Sequence, residues 1–193
     1  MNIGCILMAA GNSSRFSGNK LAAPFHGEPL IERALRVYGS VPFFRRVCIT
    51  QYDFVEEAAK NAGFLTVRNP DPDAGASLTV RLGVERMRGA DAVLFAVSDQ
   101  PCLTGESVLR LIARFTSEPD CIHALSFGER RGNPVIFPIR YREELMCLTG
   151  DVGGSFVIKR HPEMLRLCPI PNEIELFDVD RAEDLISLDR ERS

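Results

Sequence analysis

The sequence predicts an α/β fold in which helices cover both faces of a doubly wound, mostly parallel β-sheet. Strand-like and helix-like segments alternate through the first half of the chain, which is typical of consecutive β-α-β units. Two apolar runs, Ile3 to Met8 and Ala92 to Val97, are nearly uninterrupted, as expected for parallel strands buried on both faces. The 193 residues, 45% of them hydrophobic, are enough for the core of one domain, which we expect to span residues 1–193.

Strands and helices follow from the spacing of apolar residues along the chain. The predicted strands are 3–9, 46–50, 64–68, 91–97, 120–126, 133–137 and 174–179. The predicted helices are 29–39, 53–62, 77–88, 105–116, 140–147, 152–160 and 181–188. Gly128 to Gly132 predicts the turn of a β-hairpin, and we expect this insertion to form the wall of a second subsite.

Composition argues against several classes of function. The net charge is −3 and the 23 Lys and Arg residues are scattered, so no nucleic-acid partner is predicted. No apolar run approaches the length of a membrane span, and none of the six cysteines forms a Cys-x-x-Cys pair, so neither a membrane partner nor a zinc site is predicted. Cysteines 5, 48 and 121 lie in apolar runs, which is typical of reduced thiols and indicates a cytoplasmic protein.

The segment after the first predicted strand has the composition of a phosphate-binding loop. Its small residues are Ala9, Ala10, Gly11, Asn12, Ser13 and Ser14. Small residues let backbone N–H groups approach an anion, and Arg15 and Lys20 supply positive charge for polyphosphate oxygens. The spacing excludes both the P-loop and the dinucleotide fingerprint, so the pattern predicts a nucleoside triphosphate. An ordinary strand-to-helix turn with exposed cations is the alternative.

Asp99 follows the apolar run that ends at Val97. Ligands bind at the carboxyl ends of strands in doubly wound sheets, so this carboxylate is expected beside the phosphate loop. Mg²⁺ takes one or two carboxylates together with phosphate oxygens and water, which makes Asp99 a candidate metal ligand. Taken alone, Asp99 is better explained as a turn or N-cap residue before Pro101, and the functional interpretation depends on the loop after the first strand.

Residues 6–20 (ILMAAGNSSRFSGNK) resemble the signature L-A-A/G-G-x-S-x-R-x-G-x-x-K of the MobA-like nucleotidyltransferases, although Gly18 falls one place late. Further segments are similar to motifs of that family in the same order: 75–83 (GASLTVRLG), 98–101 (SDQP), 132–134 (GNP), 150–154 (GDVGG) and 177–185 (FDVDRAEDL). The resemblance implies a Rossmann-like nucleotidyltransferase fold of the GT-A type. It also implies a nucleotide-binding half over about 1–118 and an acceptor-binding half over about 119–193.

The resemblance also implies roles for individual residues. The loop with Arg15 and Lys20 would wrap the triphosphate, and Asp99, together with Asp180, would hold Mg²⁺. The resemblance implies that Gly75 and Ser77 lie at the base and ribose of the nucleotide, and that Asn133, Asp151 and Gly153 lie at the acceptor. Simpler interpretations stay open: Asp180 and Ser77 are also suited to cap helices, and Asn133 and Asp151 are also common in turns.

Within the family the sequence looks most like the molybdenum cofactor cytidylyltransferases, because it carries Ala9-Ala10-Gly11 where guanylyl-transferring relatives tend to carry Ala-Gly-Gly. That likeness implies CTP as nucleotide, molybdopterin or the molybdenum cofactor as acceptor, and a molybdoenzyme or its chaperone as a further partner. Two alternatives stay open. One is a nucleotidyltransferase for a sugar phosphate or another phosphate acceptor, and the other is a non-catalytic chaperone that binds nucleotide or molybdopterin.

Overall fold

The computed structural model describes residues 1–191, along which strands and helices alternate. The strands are β1 (Ile3–Ala9), β2 (Pro24–Phe25), β3 (Glu28–Pro29), β4 (Arg45–Thr50), β5 (Leu65–Arg68), β6 (Ala92–Val97), β7 (Ile122–Phe127), β8 (Arg130–Pro138) and β9 (Leu165–Pro169). The helices are α1 (Leu30–Gly39), α2 (Asp53–Asn61), α3 (Ala76–Glu85), α4 (Gly105–Ser117), α5 (Arg142–Met146), α6 (Ser155–Arg160) and α7 (Ala182–Glu191).

Seven of these strands form one sheet in the order β5-β4-β1-β6-β8-β7-β9. The strands β5, β4, β1 and β6 pair in parallel, and β9 pairs in parallel with β7. The exception is β8, which runs antiparallel to both β6 and β7. The chain leaves β1 toward β4 on one side and later returns to β6 on the other, which confirms the predicted doubly wound, mostly parallel architecture. A cleft for a ligand is expected at the carboxyl ends of β1 and β6, where the order reverses.

Helices cover both faces of the sheet because each presents apolar residues at helical spacing. On one face, α1 buries Ile31, Leu35 and Tyr38, and α2 and α4 pack beside it. On the other face, α3 buries Val80 and Val84, accompanied by α5 and α6. Burial of each such large side chain stabilises the fold by about 1.5–3 kcal/mol. No helix within residues 1–191 has the length and apolar character needed to cross a bilayer.

A third apolar cluster attaches the last helix beside the phosphate loop. Leu188 of α7 packs with Phe25, Leu30 and Val179, all of them almost completely buried. This contact brings the chain segment before α7 to the carboxyl edge of the sheet.

Three sequence predictions differ from the structure. The strand predicted over 174–179 is wrong: Glu173–Leu176 is a 3₁₀ turn, and its apolar side chains are buried without strand pairing. The strand β9, by contrast, was not predicted. The hairpin turn is also shorter than predicted, because Phe127 already pairs with Arg130.

Candidate active site

The loop after β1 is held in place through its carbonyl oxygens. The Gln51 amide donates to the carbonyl of Ala10 over 3.0 Å, and the Tyr52 hydroxyl donates to the carbonyl of Gly11 over 2.8 Å. The Asn12 side chain accepts from Gln51 over 2.8 Å and donates to Asp73 over 2.6 Å. Among residues 1–191, none accepts a hydrogen bond from the backbone N–H groups of residues 12–15. These groups are therefore available to an anion.

Lys20 lies where the loop returns to the edge of the sheet. Its Nζ donates to Oδ2 of Asp99 over 2.8 Å and lies 3.7 Å from Oδ1 of Asp180, and only 15% of its side chain is exposed. Arg15 pairs with Oδ2 of Asp180 over 2.9 Å at the surface. The structure thus brings together Arg15, Lys20, Asp99 and Asp180, four of the five charged residues that the sequence singled out; the fifth, Asp151, lies apart from them.

Hydrogen bonds made by the Ser98 side chain and by the Asp99 backbone hold Asp99 in position. Ser98 donates from its hydroxyl to the carbonyl of Met8 over 2.9 Å, which joins the ends of β6 and β1. The backbone carbonyl of Asp99 accepts from the N–H of Val179 over 2.9 Å, which holds the last chain segment against the site. The Oδ1 atom of Asp99 is buried and has no hydrogen-bond partner among residues 1–191. An unpaired buried carboxylate oxygen is costly, so this atom is suited to a ligand that the protein itself does not supply.

Asp180 does not cap the last helix. The N–H groups of Asp180 and Arg181 both donate to Oδ2 of Asp184, each over 2.7 Å, so the cap comes from within the helix. The Asp180 carboxylate is instead committed to Arg15 and Lys20.

Asp178 is a further acidic group at this edge. Its Oδ1 accepts from the Gln100 amide over 2.9 Å. Desolvation, and next the negative charge of Asp99, raise the pKa of Asp178 to about 6, while the Gln100 bond and Lys20 oppose the shift. Although three aspartates thus approach one another, no group of three or more His, Cys, Asp or Glu side chains in residues 1–191 forms a ready metal centre.

Asp151 does not lie with Asn133 and Gly153, the other two residues predicted to bind the acceptor. Its Oδ1 accepts from the backbone N–H of Ala76 over 3.2 Å, and the carbonyl of Gly150 accepts from the N–H of Ser77 over 3.3 Å. Gly75 allows this approach, since its φ is +85° and an added Cβ would lie 2.6 Å from the Gly150 carbonyl. Asp151 therefore orders the start of α3, and its acceptor role stays a prediction.

Ser77, whose N–H donates to the Gly150 carbonyl, is the second residue of α3. It is 1% exposed, and its hydroxyl oxygen has no hydrogen-bond partner among residues 1–191.

Two cavities of about 430 Å³ each flank the end of β1, and Met8 lines both. The first, which we call the loop-side cavity, is lined by Ala10, Gly11, Asn12, Asp73, Gly75, Thr79 and Asp151 among others. The second, the hairpin-side cavity, is lined by Phe95, Arg131, Asn133, Phe137, Gly153, Ile158 and Asp178 among others. Of the predicted acceptor residues, Asn133 and Gly153 therefore share a cavity and Asp151 lies in the other.

Sequence reasoning missed Arg131. It directly precedes the matched segment 132–134, but a register shift interrupts the pairing of β7 with β8 there, so simple alternation along the strand does not place its side chain. Asp178 lies within the matched segment 177–185, which suggested a metal role for it secondary to that of Asp180. Its position at the hairpin-side cavity depends on the turn and the apolar cluster that precede α7.

Comparisons with known proteins agree with this geometry. The profile of the MobA-like NTP transferase domain matches residues 5–165. A nucleotidyl transferase from Methanothermobacter thermautotrophicus superposes with a TM-score of 0.82 at 21% identity, covering 98% of this chain and 97% of that chain. A search of curated proteins finds no match.

Two further solved structures carry ligands. A Mycobacterium tuberculosis protein in complex with manganese has a TM-score of 0.78 at 21% identity, covering 97% of this chain and 98% of that one. A CMP:2-keto-3-deoxy-manno-octonic acid synthetase in complex with CTP has a TM-score of 0.75 at 13% identity, covering 100% and 98%. At these identities the likeness shows a shared fold.

Proposed function

The chain belongs to the MobA-like NTP transferase family, and from that premise we propose that it transfers CMP from CTP to the phosphate of molybdopterin or the molybdenum cofactor, releasing pyrophosphate. One observation carries the proposal. The 2.8 Å pair of Lys20 and Asp99 joins the phosphate loop to the end of β6. A cation from the loop and a carboxylate from the strand are thereby held together at the sheet edge.

We assign the nucleotide to the loop-side cavity and the half of the chain that ends near residue 118. The free N–H groups of residues 12–15 would bind phosphate oxygens. Ala9, Ala10 and Gly11 leave room beside them, and nothing lies within 4 Å of a Cβ added at Gly11. Gly75 lines the opposite wall, with Ser77 buried just behind it in the first turn of α3, and we place the ribose and base there. That the synthetase of similar fold binds CTP supports the choice of nucleotide.

We assign the acceptor to the hairpin-side cavity and to residues from about 119 onward. Phe95, Phe137 and Ile158 line this cavity together with Asn133, so a planar ring can pack there while the amide donates or accepts at its polar edge. Aromatic rings beside polar side chains suit a planar heterocycle such as a pterin.

The chemistry needs alignment and charge neutralisation more than proton transfer. An oxygen of the acceptor phosphate forms a bond to the α-phosphorus, and the bond from that phosphorus to the pyrophosphate oxygen breaks. The nucleophile is already an anion, so no general base is required. Lys20 and Arg15 would stabilise the charge that accumulates on the α-phosphate and the departing pyrophosphate.

The residues present also fit a divalent cation. Asp99 has a buried carboxylate oxygen with no partner within residues 1–191, and Asp180 lies on the other side of Lys20. We propose that these two carboxylates hold Mg²⁺, or Mn²⁺, which is bound in one protein of similar fold. When bound, the cation would neutralise phosphate charge.

The test is a panel of CTP, GTP, ATP and UTP, each with molybdopterin and with a sugar 1-phosphate, measured as pyrophosphate release. Release that requires both CTP and molybdopterin supports the proposal. Release only with the sugar 1-phosphate would show that the acceptor is a sugar phosphate and not molybdopterin. Tight binding of nucleotide without pyrophosphate release would show a non-catalytic carrier.

A further inference from the structure

The hairpin-side cavity contains a cation whose charge the protein does not balance. Arg131 lies near the start of β8 and lines the cavity with Asn133, Val135 and Phe137. Its guanidinium forms no ion pair and no hydrogen bond with a side chain or carbonyl anywhere in residues 1–191. Desolvation lowers the pKa of Arg131, which shows that its surroundings disfavour the charge.

The neighbouring arginine shows the contrast. Arg130 also lines the cavity, but it pairs with Glu173 over 3.1 Å and 54% of its side chain is exposed. The two arginines therefore share a strand, a charge and a cavity, and differ in burial and in partner.

Asp178, the carboxylate that lines the same cavity, does not balance the charge of Arg131. Asp178 accepts from Gln100 over 2.9 Å and makes no ion pair with Arg131. The rest of the wall combines polar groups with apolar side chains that include Met8, Phe95, Phe137, Ile158 and Leu176. Arg131 is partly buried beside them, and its planar fork is suited to binding a phosphate or carboxylate by two hydrogen bonds.

We propose that Arg131 is the residue that selects the acceptor, and that it does so by binding an anionic group carried on a planar ring whose faces pack against the aromatic side chains of the cavity. The inference rests on the proposed function in that it takes the hairpin-side cavity as the acceptor site. It adds the chemical class of the acceptor, an amphiphilic organic anion, and the residue that recognises its charge. Neutral heterocycles of the same shape should bind less tightly, because they leave the guanidinium without a partner when they cover it.

The test uses two fluorescent probes that differ by one phosphate group, neopterin monophosphate and neopterin, titrated against the full chain without nucleotide. The wild-type protein should bind the phosphorylated probe about 10- to 100-fold more tightly, the range expected for a hydrogen-bonded charge pair. Arg131→Ala should lose this preference, and Arg131→Lys should keep part of it, since an ammonium replaces the charge but not the fork. Arg110→Ala is the control, since Arg110 is an exposed arginine of α4 that does not line the cavity, and it should keep the full preference.

Thermal unfolding checks that the variants fold. Arg131→Ala removes no side-chain hydrogen bond or ion pair to residues 1–191, so its melting temperature should equal or exceed that of the wild type, whereas a structural role predicts a lower one. Equal binding of both probes by the wild type, no binding of either, or a preference that persists in Arg131→Ala would overturn the inference.

This experiment separates the inference from the proposed function because it needs no turnover. A phosphate preference that depends on Arg131, in a protein that releases no pyrophosphate with any nucleotide, would sustain the inference and reject the transferase. If Arg131→Ala releases pyrophosphate with molybdopterin at the wild-type KM for the acceptor, the transferase is sustained and the inference about Arg131 is rejected.

Discussion

Replacing Lys20 by alanine separates the catalytic from the structural role of the phosphate loop. Removal of a donor that stabilises developing negative charge costs about 10²–10³ in kcat, which is about 2.7–4 kcal/mol of transition-state stabilisation. We expect a loss of about a hundredfold or more in pyrophosphate release.

The structure also sets the cost in stability. Lys20 and Asp99 are 15% and 24% exposed as side chains, between a surface pair and a fully buried one. Surface pairs contribute about 0–1 kcal/mol, and breaking a fully buried pair costs about 3–5 kcal/mol, so we expect Lys20→Ala to lower the free energy of unfolding by about 1–3 kcal/mol. Adding Asp99→Asn to Lys20→Ala removes the unpaired carboxylate and should restore part of the stability without restoring activity.

Lys60→Ala is the control, since Lys60 is one of the chain's three lysines and its side chain is 59% exposed in a helical pair with Glu56. It should leave both the free energy of unfolding and the turnover close to those of the wild type, because exposed pairs of this kind contribute little. Turnover of Lys20→Ala within a few fold of the wild type, in a folded protein, would refute the role of the loop in catalysis.

Four further predictions follow from the geometry. Asp99→Asn should abolish Mg²⁺-dependent pyrophosphate release, while Asp180→Asn should lower the rate and recover partly at raised Mg²⁺; normal turnover of Asp99→Asn at low Mg²⁺ would contradict the metal site. Isothermal titration with Mg²⁺ should show tighter binding of CTP than of GTP, and the opposite order would reject the cytidylyl assignment. Gly75→Ala should destabilise the protein in urea by more than Gly18→Ala, because both glycines have positive φ (+85° and +93°) but only Gly75 meets opposing backbone at 2.6 Å; equal losses would remove the packing argument. Burial lowers the pKa of His123, so the unfolded chain binds a proton that the folded chain does not, and the free energy of unfolding should fall as the pH drops through about 6.5; His123→Gln should reduce this slope between pH 7.5 and 5.5, and an unchanged slope would show that other groups cause it.

Errors in the sequence predictions have a common physical cause. The segment 174–179 contains Ile174, Leu176, Phe177 and Val179, and its apolar content predicted a strand. Burial does occur there, with Val179 fully enclosed, but the backbone forms a 3₁₀ turn begun by the side chain of Asn172. Apolar spacing indicates which side chains are buried, whereas strand pairing depends on a partner elsewhere in the chain.

The strand β9 shows the opposite case, a segment with a weak local pattern that nevertheless pairs as a strand. Its five residues, Leu165–Pro169, are short, end in proline and lie at the edge of the sheet, so the local pattern is weak. The parallel partner β7, more than thirty residues earlier in the chain, is what makes the segment a strand.

The sequence by itself determined the central strands and the phosphate loop. Ile3 to Met8 and Ala92 to Val97 had to be buried on both faces because they carry no polar side, and parallel strands end at the same edge, which brought Lys20 and Asp99 to one place. Only the tertiary structure decided that Asp151 orders the start of α3 and that the Arg131 side chain has no partner among residues 1–191. Those outcomes depend on contacts between segments that are distant in sequence, and such contacts follow from the fit of surfaces that no local pattern records.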